Sequence, residues 1–374
     1  MVHREPGQIG SNGPPKNQNQ IDHTRAALAM CENIDWNVGR IIDQLKNSGV
    51  LENTIVIYLS DNGPNGNRWN GLMKGRKGST DEGGVRSPMI INWPGKIPQG
   101  KIVKEIASGI DLLPTLKDLT GITSQAKKPL DGISLEPLIM QENPIWEDRY
   151  IYNYWKGKLS LRNQHYRLDH QGQLFDMVND PNQTKDIGEK KPQVLTALNK
   201  AKGQWEQEVL VELPKKDNRP FYIGHPSLHT TQVPARDGIP SGEIKRSNRY
   251  PNCTYFTHWI NPEDTITWEA EVAQDGDFEI TVYYSCAEDA IGSLFEVSFG
   301  DASIQGEIKE VHNPNEYGAA EDRVLRQESY VKDFKPLKIG TLKLKKGKGT
   351  LKIKGIEKKG RALMDFRLML LKRI

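Results

Sequence analysis

Two neighbouring stretches carry residue types that do chemistry together. Thr54-Ile-Val-Ile-Tyr-Leu-Ser60-Asp61-Asn62-Gly63 is an apolar, β-branched run that ends on one carboxylate and one amide. Gly75-Arg-Lys77-Gly-Ser-Thr-Asp-Glu82-Gly83-Gly84-Val-Arg86-Ser-Pro88 follows it. Adjacent Asp61 and Asn62 oxygens suit a hard divalent cation such as calcium or magnesium, and Gly63 permits a sharp turn after them. Lys77 adds a positive charge for an anionic substrate. Taken alone, Asp-Asn-Gly after a strand is most often a turn, and a lysine in a charged loop is most often a solvated side chain. It is their combination that points to an anion held between a cation and an ammonium.

These residues need a scaffold, and the hydrophobic pattern supplies one. The run before Asp61 reads as a buried parallel strand, whose carboxyl end is where open α/β sheets bind ligands. Ahead of it, Ala27, Cys31, Ile34, Val38, Ile41 and Leu45 recur at helical spacing, with Asp22 as a cap and Gly49 as a stop. Behind it, Met89-Ile90-Ile91-Asn92 reads as a second buried strand and residues 111–119 as a helix. The alternation predicts an α/β layer over residues 1–147, opening on a polar loop around residues 10–20.

From 148 to 213 the pattern becomes hairpin-length runs, at 150–155, 158–162, 165–168 and 173–175, followed by an amphipathic helix from Pro192. This is a small α+β subdomain. Residues 214–252, rich in Pro, Gly and Asp, read as a linker. They include Pro234-Ala-Arg236-Asp237-Gly238, for which the sequence gives no role. Residues 253–374 alternate apolar with polar over 265–272, 277–284, 294–299, 338–344, 349–353 and 364–370, which predicts an all-β sandwich.

With the elements in place, the chain resembles the sulfatase family of the alkaline-phosphatase-like superfold, in its C-terminal part. The resemblance rests on the two stretches above and on Ile34-Asp35-Trp-Asn-Val-Gly39-Arg40-Ile41, Trp93-Pro94-Gly95, Asp111-Leu-Leu-Pro114-Thr115, Gly172-Gln-Leu-Phe175-Asp176 and Asn179-Asp180-Pro181, in that order. It implies that Asp61 and Asn62 are metal ligands, with Ca²⁺ expected, and that Lys77 contacts the sulfate and its bridging oxygen. It also implies a sulfuric ester hydrolase acting on sulfated carbohydrate, exported to the periplasm or outside the cell. Asp81 stands where the family usually has an aromatic residue. The last segment resembles, in general pattern, β-sandwich modules appended to carbohydrate-active enzymes.

Sulfatases carry a formylglycine made from the first residue of Cys-or-Ser-x-Pro-x-Arg, and this sequence contains no such motif. The family's early Asp-Asp pair, and the lysine and histidines that follow the nucleophile, are also unmatched. The sequence therefore assigns no catalytic nucleophile and describes a portion of a sulfatase that is inactive by itself. The rival reading is a non-catalytic carbohydrate-binding or scaffolding remnant. A phosphodiesterase of the same superfold is disfavoured by the Gly-x-Lys and Glu-Gly-Gly pattern.

The 374 residues are 36% hydrophobic and 26% charged, with a net charge of +3, which suits ordinary cores and argues against a nucleic-acid partner. The C-terminal lysines, such as Lys352 and Lys354, alternate with Leu and Ile as on a solvated strand face. No run is long and apolar enough to span a membrane, and Met1 to Gly7 has no apolar core like that of a signal peptide. His23, His165, His170 and His229 lack metal-ligand spacing and read as surface residues. An exported protein with three cysteines has room for one disulfide, expected between Cys253 and Cys286, with Cys31 a buried thiol on its helix.

Overall fold

The computed structural model describes residues 17–66, 68–123, 128–214, 217–322, 326 and 328–374, so the start of the expected opening loop lies outside the described residues. The chain divides into two compact units, Met1–Pro214 and Lys215–Ile374. It is a mixed α/β protein with several separate sheets.

The first unit opens with helix α1 (Gln18–Asn47), capped by the Asn17 side chain, which accepts from the Gln20 N–H. Asp22, expected as the cap, lies a turn inside, where it accepts from Gln18 and Arg25. No residue of α1 is buried, so Cys31 is an exposed free thiol and not the buried one that helical spacing suggested. Periodicity marks an apolar stripe but does not tell what covers it.

Strands β1 (Val56–Leu59) and β2 (Met89–Asn92) form a two-stranded sheet, with the four-residue helix α2 (Glu82–Val85) in the loop between them. Their pairing is antiparallel, with Leu59 opposite Met89 and Val56 opposite Asn92. The parallel, buried strand expected here is thus antiparallel and only half-buried. An apolar run reports that a strand wants cover, not its direction. Helices α3 (Leu112–Thr120) and α4 (Glu136–Met140) follow, and Leu135, Leu138 and Ile139 form a small core with Ile91.

Strands β3 (Ile151–Trp155), β4 (Lys158–Arg162), β5 (Tyr166–Leu168) and β6 (Leu174–Asp176) make an antiparallel meander, and helix α5 (Pro192–Glu208) packs on it. Leu161, Leu168, Leu174, Leu198 and Ala201 are its core. Tyr152 stacks on Trp205 with ring centroids 5.1 Å apart. The β3–β4 turn is two residues, Lys156 and Gly157, both at positive φ, which matches the twist of a tight hairpin.

The second unit is built of β7 (Phe221–Ile223), β8 (Thr230–Pro234), β9 (Ile239–Pro240), β10 (Lys245–Arg246), β11 (Phe256–Thr257), β12 (Thr265–Val272), β13 (Gly276–Ser285), β14 (Leu294–Phe299), β15 (Ala302–Glu307), β16 (Glu316–Tyr317), β17 (Val331–Lys332), β18 (Lys335–Leu344), β19 (Gly347–Glu357) and β20 (Asp365–Arg373). One six-stranded sheet runs β10-β11-β20-β13-β18 with β8 on β20, and the other runs β15-β14-β19-β12-β7 with β9 on β12. Alternate residues of both sheets, among them Trp268, Phe278, Phe295, Leu351 and Phe366, join one apolar core.

Two expectations fail here. Residues 221–246, read as linker, contribute β7 to β10, and Ile223, Val233, Ala235 and Ile244 are buried in that same core. The Pro234–Gly238 segment is a tight turn whose Pro234 carbonyl accepts from the Trp268 indole N–H. Cys253 and Cys286 are both free, the first exposed and the second buried, so the expected disulfide is not formed. An odd count permits a pair but cannot place it.

Candidate functional site

The site's loops are held by backbone apposition. Gly63 N–H donates to the Gly84 carbonyl at 2.9 Å, and Lys77 N–H donates to the Pro64 carbonyl at 3.1 Å. Gly83 N–H donates to the Lys74 carbonyl at 2.7 Å. The Asp61-Asn62-Gly63 turn, the Lys77 loop and the Glu82-Gly83-Gly84 turn are therefore one bonded assembly. Close approach is the reason for its glycines: a Cβ on Gly63 would lie 1.8 Å from the Gly83 oxygen, and one on Gly84 would lie 2.3 Å from the Ser79 oxygen. Neither neighbour is a side chain that can swing away.

Asp61 is exposed and Asn62 half-buried, and both line a cleft of about 1100 Å³ together with Glu82, Arg86, Arg162 and Arg167. Neither side chain has a hydrogen-bond or ion-pair partner among the described residues, so their oxygens are available to a cation. They provide one carboxylate and one amide. No group of three or more His, Cys, Asp or Glu with metal-holding geometry occurs among the described residues, so the pair fits as two ligands of a larger set. Lys77 is exposed, and its loop, though bonded to the Asp61 turn, does not line the cleft.

An ion cluster that sequence reasoning missed lies beneath these loops. Buried Glu82 accepts from Arg162 at 2.6 Å and from Arg167 at 2.7 Å, and Arg86 approaches within 3.4 Å. Burial alone would raise the Glu82 carboxyl, but Arg167 and then Arg162 outweigh it and hold it below the ordinary carboxylate value. Arg167 also donates to the Thr80 carbonyl and to the Ser160 hydroxyl. Burial draws the Arg167 guanidinium below its usual value, against the pull of Glu82.

Lys74 is anchored nearby on the fully buried Asp169, with its ammonium over the Phe175 ring. Asp81, the departure from the family pattern, accepts from the Ser79 hydroxyl at 2.6 Å and is buried. The one signal that pointed to Arg162 was the alternation in Lys158-Leu-Ser-Leu-Arg162, which puts Ser160 and Arg162 on the face opposite the leucines.

Two family profiles match this region: "Sulfatase" over residues 5–122, and "N-sulphoglucosamine sulphohydrolase, C-terminal" over residues 77–208. The chain is 35% identical to steryl-sulfatase of Rattus norvegicus over 139 residues, which is 34% of this chain and 24% of the relative. It is 37% identical to N-acetylgalactosamine-6-sulfatase of Rattus norvegicus over 130 residues, 33% of this chain and 24% of the relative. Among solved structures it is similar to Ps i-CgsB, at 29% identity with a TM-score of 0.44, over 51% of this chain and 44% of that one. The chain thus spans about a quarter of the length of these curated relatives. No helix among the described residues is long and apolar enough to cross a membrane. On its matched motifs, and on the profile that continues into the β3–β6 meander and α5, the chain belongs to the sulfatase family and corresponds to its C-terminal part.

Proposed function

We propose that the first unit supplies the cation- and sulfate-contacting part of a sulfuric ester hydrolase that acts on sulfated carbohydrate. The observation that carries this reading is the backbone bonding that ties the Lys77 loop to the turn whose Asp61 and Asn62 line the cleft. In this reading Asp61 and Asn62 donate two oxygens to Ca²⁺, and Lys77 contacts the sulfate. A bound cation would neutralise charge on the sulfuryl oxygens. The chain's own residues bind and orient, in an alkaline-phosphatase-like layer. Attack on sulfur needs a formylglycine for which this chain has no Cys-or-Ser-x-Pro-x-Arg. The two curated relatives carry steroid and sugar names at similar identity, so the shared motifs do not choose the substrate. Carbohydrate is favoured by the second unit, read as a β-sandwich accessory for polysaccharide. The family reading also makes this an exported protein.

The test is calorimetry with calcium, together with sulfate release from 4-nitrophenyl sulfate. Two ligands out of the roughly six to eight oxygens calcium prefers give an affinity of about millimolar, lost in Asp61→Ala. Sulfate release by the purified chain should not exceed that of a Lys77→Ala control, because nucleophile and supporting groups act as a unit. Calcium binding that is unchanged in Asp61→Ala would remove the metal role. A second reading is a non-catalytic carbohydrate-binding remnant. It predicts polysaccharide binding that calcium does not affect.

A further inference from the structure

The β3–β4 hairpin lies along the substrate loop in register. Residues directly opposite in the hairpin share a face, and the pairs Ile151 with Arg162, Asn153 with Ser160 and Trp155 with Lys158 alternate with the pairs that pack on α5. Along that face Arg162 bonds Glu82, and Ser160 donates to the Thr80 carbonyl. Two residues further toward the turn, the Trp155 indole Nε1 stands 4.0 Å from where a Cβ on Gly78 would be. The ladder therefore steps down the loop as Glu82, Thr80, Gly78, and it ends with Trp155 beside the residue that follows Lys77.

Trp155 is in none of the apolar cores. It is 52% exposed, while its strand neighbours Tyr152 and Tyr154 face Trp205. The Lys156 ammonium stands 5.6 Å from its ring centroid, and Lys158 is its cross-strand partner. A solvated indole among lysines, next to a lysine read as sulfate-contacting, has the composition of a site for an anionic ring: the π face takes the axial C–H surface of a sugar and the ammoniums take its charge.

We infer that Trp155 is a sugar-stacking residue, forming with Lys156 and Lys158 a subsite for the sulfated carbohydrate whose sulfate lies at Lys77. This rests on the proposed role of Lys77. The subsite is built by the hairpin and not by the α/β layer, so it sets which sugar is accepted without taking part in holding the cation. Gly78 matters to it because a side chain there would stand against the indole edge.

Binding of two probes to the full chain tests this by calorimetry: a dextran sulfate oligosaccharide and poly(vinyl sulfate), a polyanion without sugar rings. Circular dichroism of each variant checks folding. Trp155→Ala should weaken the dextran sulfate oligosaccharide at least about fivefold and leave poly(vinyl sulfate) unchanged, and Trp155→Phe should recover most of the loss. Lys77→Ala should weaken both probes. The subsite is overturned if the folded wild-type chain does not bind the sulfated oligosaccharide, if Trp155→Ala binds it as tightly as wild type, or if that variant loses both probes equally. If Lys77→Ala changes neither probe while Trp155→Ala still loses the sugar selectively, the stacking residue stands and the sulfate-contact role of Lys77 fails.

Discussion

Arg167 donates from Nη2 to Glu82 Oε2 over 2.7 Å, with the two side chains only 1% and 2% exposed and 85 positions apart in the sequence. Through this pair the meander grips the turn that the Asp61 loop bonds to, so the geometry of the candidate site depends on a subdomain that holds neither Asp61 nor Asn62. Arg162 and the Thr80 carbonyl complete the grip.

Removing the carboxylate should therefore be costly. Glu82→Gln leaves the buried Arg167 guanidinium without its counter-charge, and breaking one side of a buried pair typically costs about 3 to 5 kcal/mol. Urea unfolding of the full chain should show the loss in the first unit's transition only. A loss under about 1 kcal/mol would mean that solvent reaches the pair.

The same pair sets a pH dependence. Burial pushes the Glu82 carboxyl up, Arg167 and Arg162 pull it down further, and the net lies below the ordinary 4.5. A carboxylate depressed in the folded state contributes its full stability above the unfolded value and loses it as pH falls through the folded one. Acidification below about pH 4.5 should lower the first unit's unfolding midpoint, and Glu82→Gln should flatten that slope. A wild-type slope equal to the variant's would count against the assignment.

How much of this could be read in the sequence follows a physical divide. The β3–β6 hairpins and strands β12, β13, β14, β18, β19 and β20 were legible because alternation and tight turns are local signals, whereas β15 was not read. Arg162 and Arg167 were not, since alternation tells which face a side chain takes but not what that face meets. Ile223 and Val233 were hidden in strands of three and five residues, and Ala235 and Ile244 lie outside any strand, all among prolines and glycines, where composition spells turns and burial depends on distant strands. Asp61, Asn62 and Lys77 were readable as residue types. Their apposition depends on carbonyl contacts with Gly84 and Pro64, which no pattern in the sequence marks.

Gly63 gives that apposition a direct test. Because the added Cβ would meet a backbone oxygen at 1.8 Å, Gly63→Ala must push the two loops apart. A cost of about 2 kcal/mol or more is expected, with faster amide exchange at Gly63 and Lys77 as their bonds to Gly84 and Pro64 open. Gly39→Ala is the control, since nothing lies within 4 Å of its Cβ position and alanine favours a helix. It should be neutral or stabilising by up to about 1 kcal/mol. Equal effects at the two positions would refute the close-approach argument.

The second unit should fold by itself from Lys215 to Ile374, and a shorter piece beginning at Cys253 should not. The shorter piece lacks Ile223, Val233, Ala235 and Ile244 from the core, and it lacks β7 and β8, which pair with β12 and β20. Four buried apolar side chains together are worth about 5 kcal/mol or more, a large share of a domain's net stability. The bared edges of β12 and β20 would also be free to pair with other chains. Circular dichroism melts and gel filtration of the two pieces should show a cooperative monomer for the longer, and an unfolded or aggregated species for the shorter. A stable, monomeric 253–374 piece would restore the boundary to where the proline-rich composition had put it.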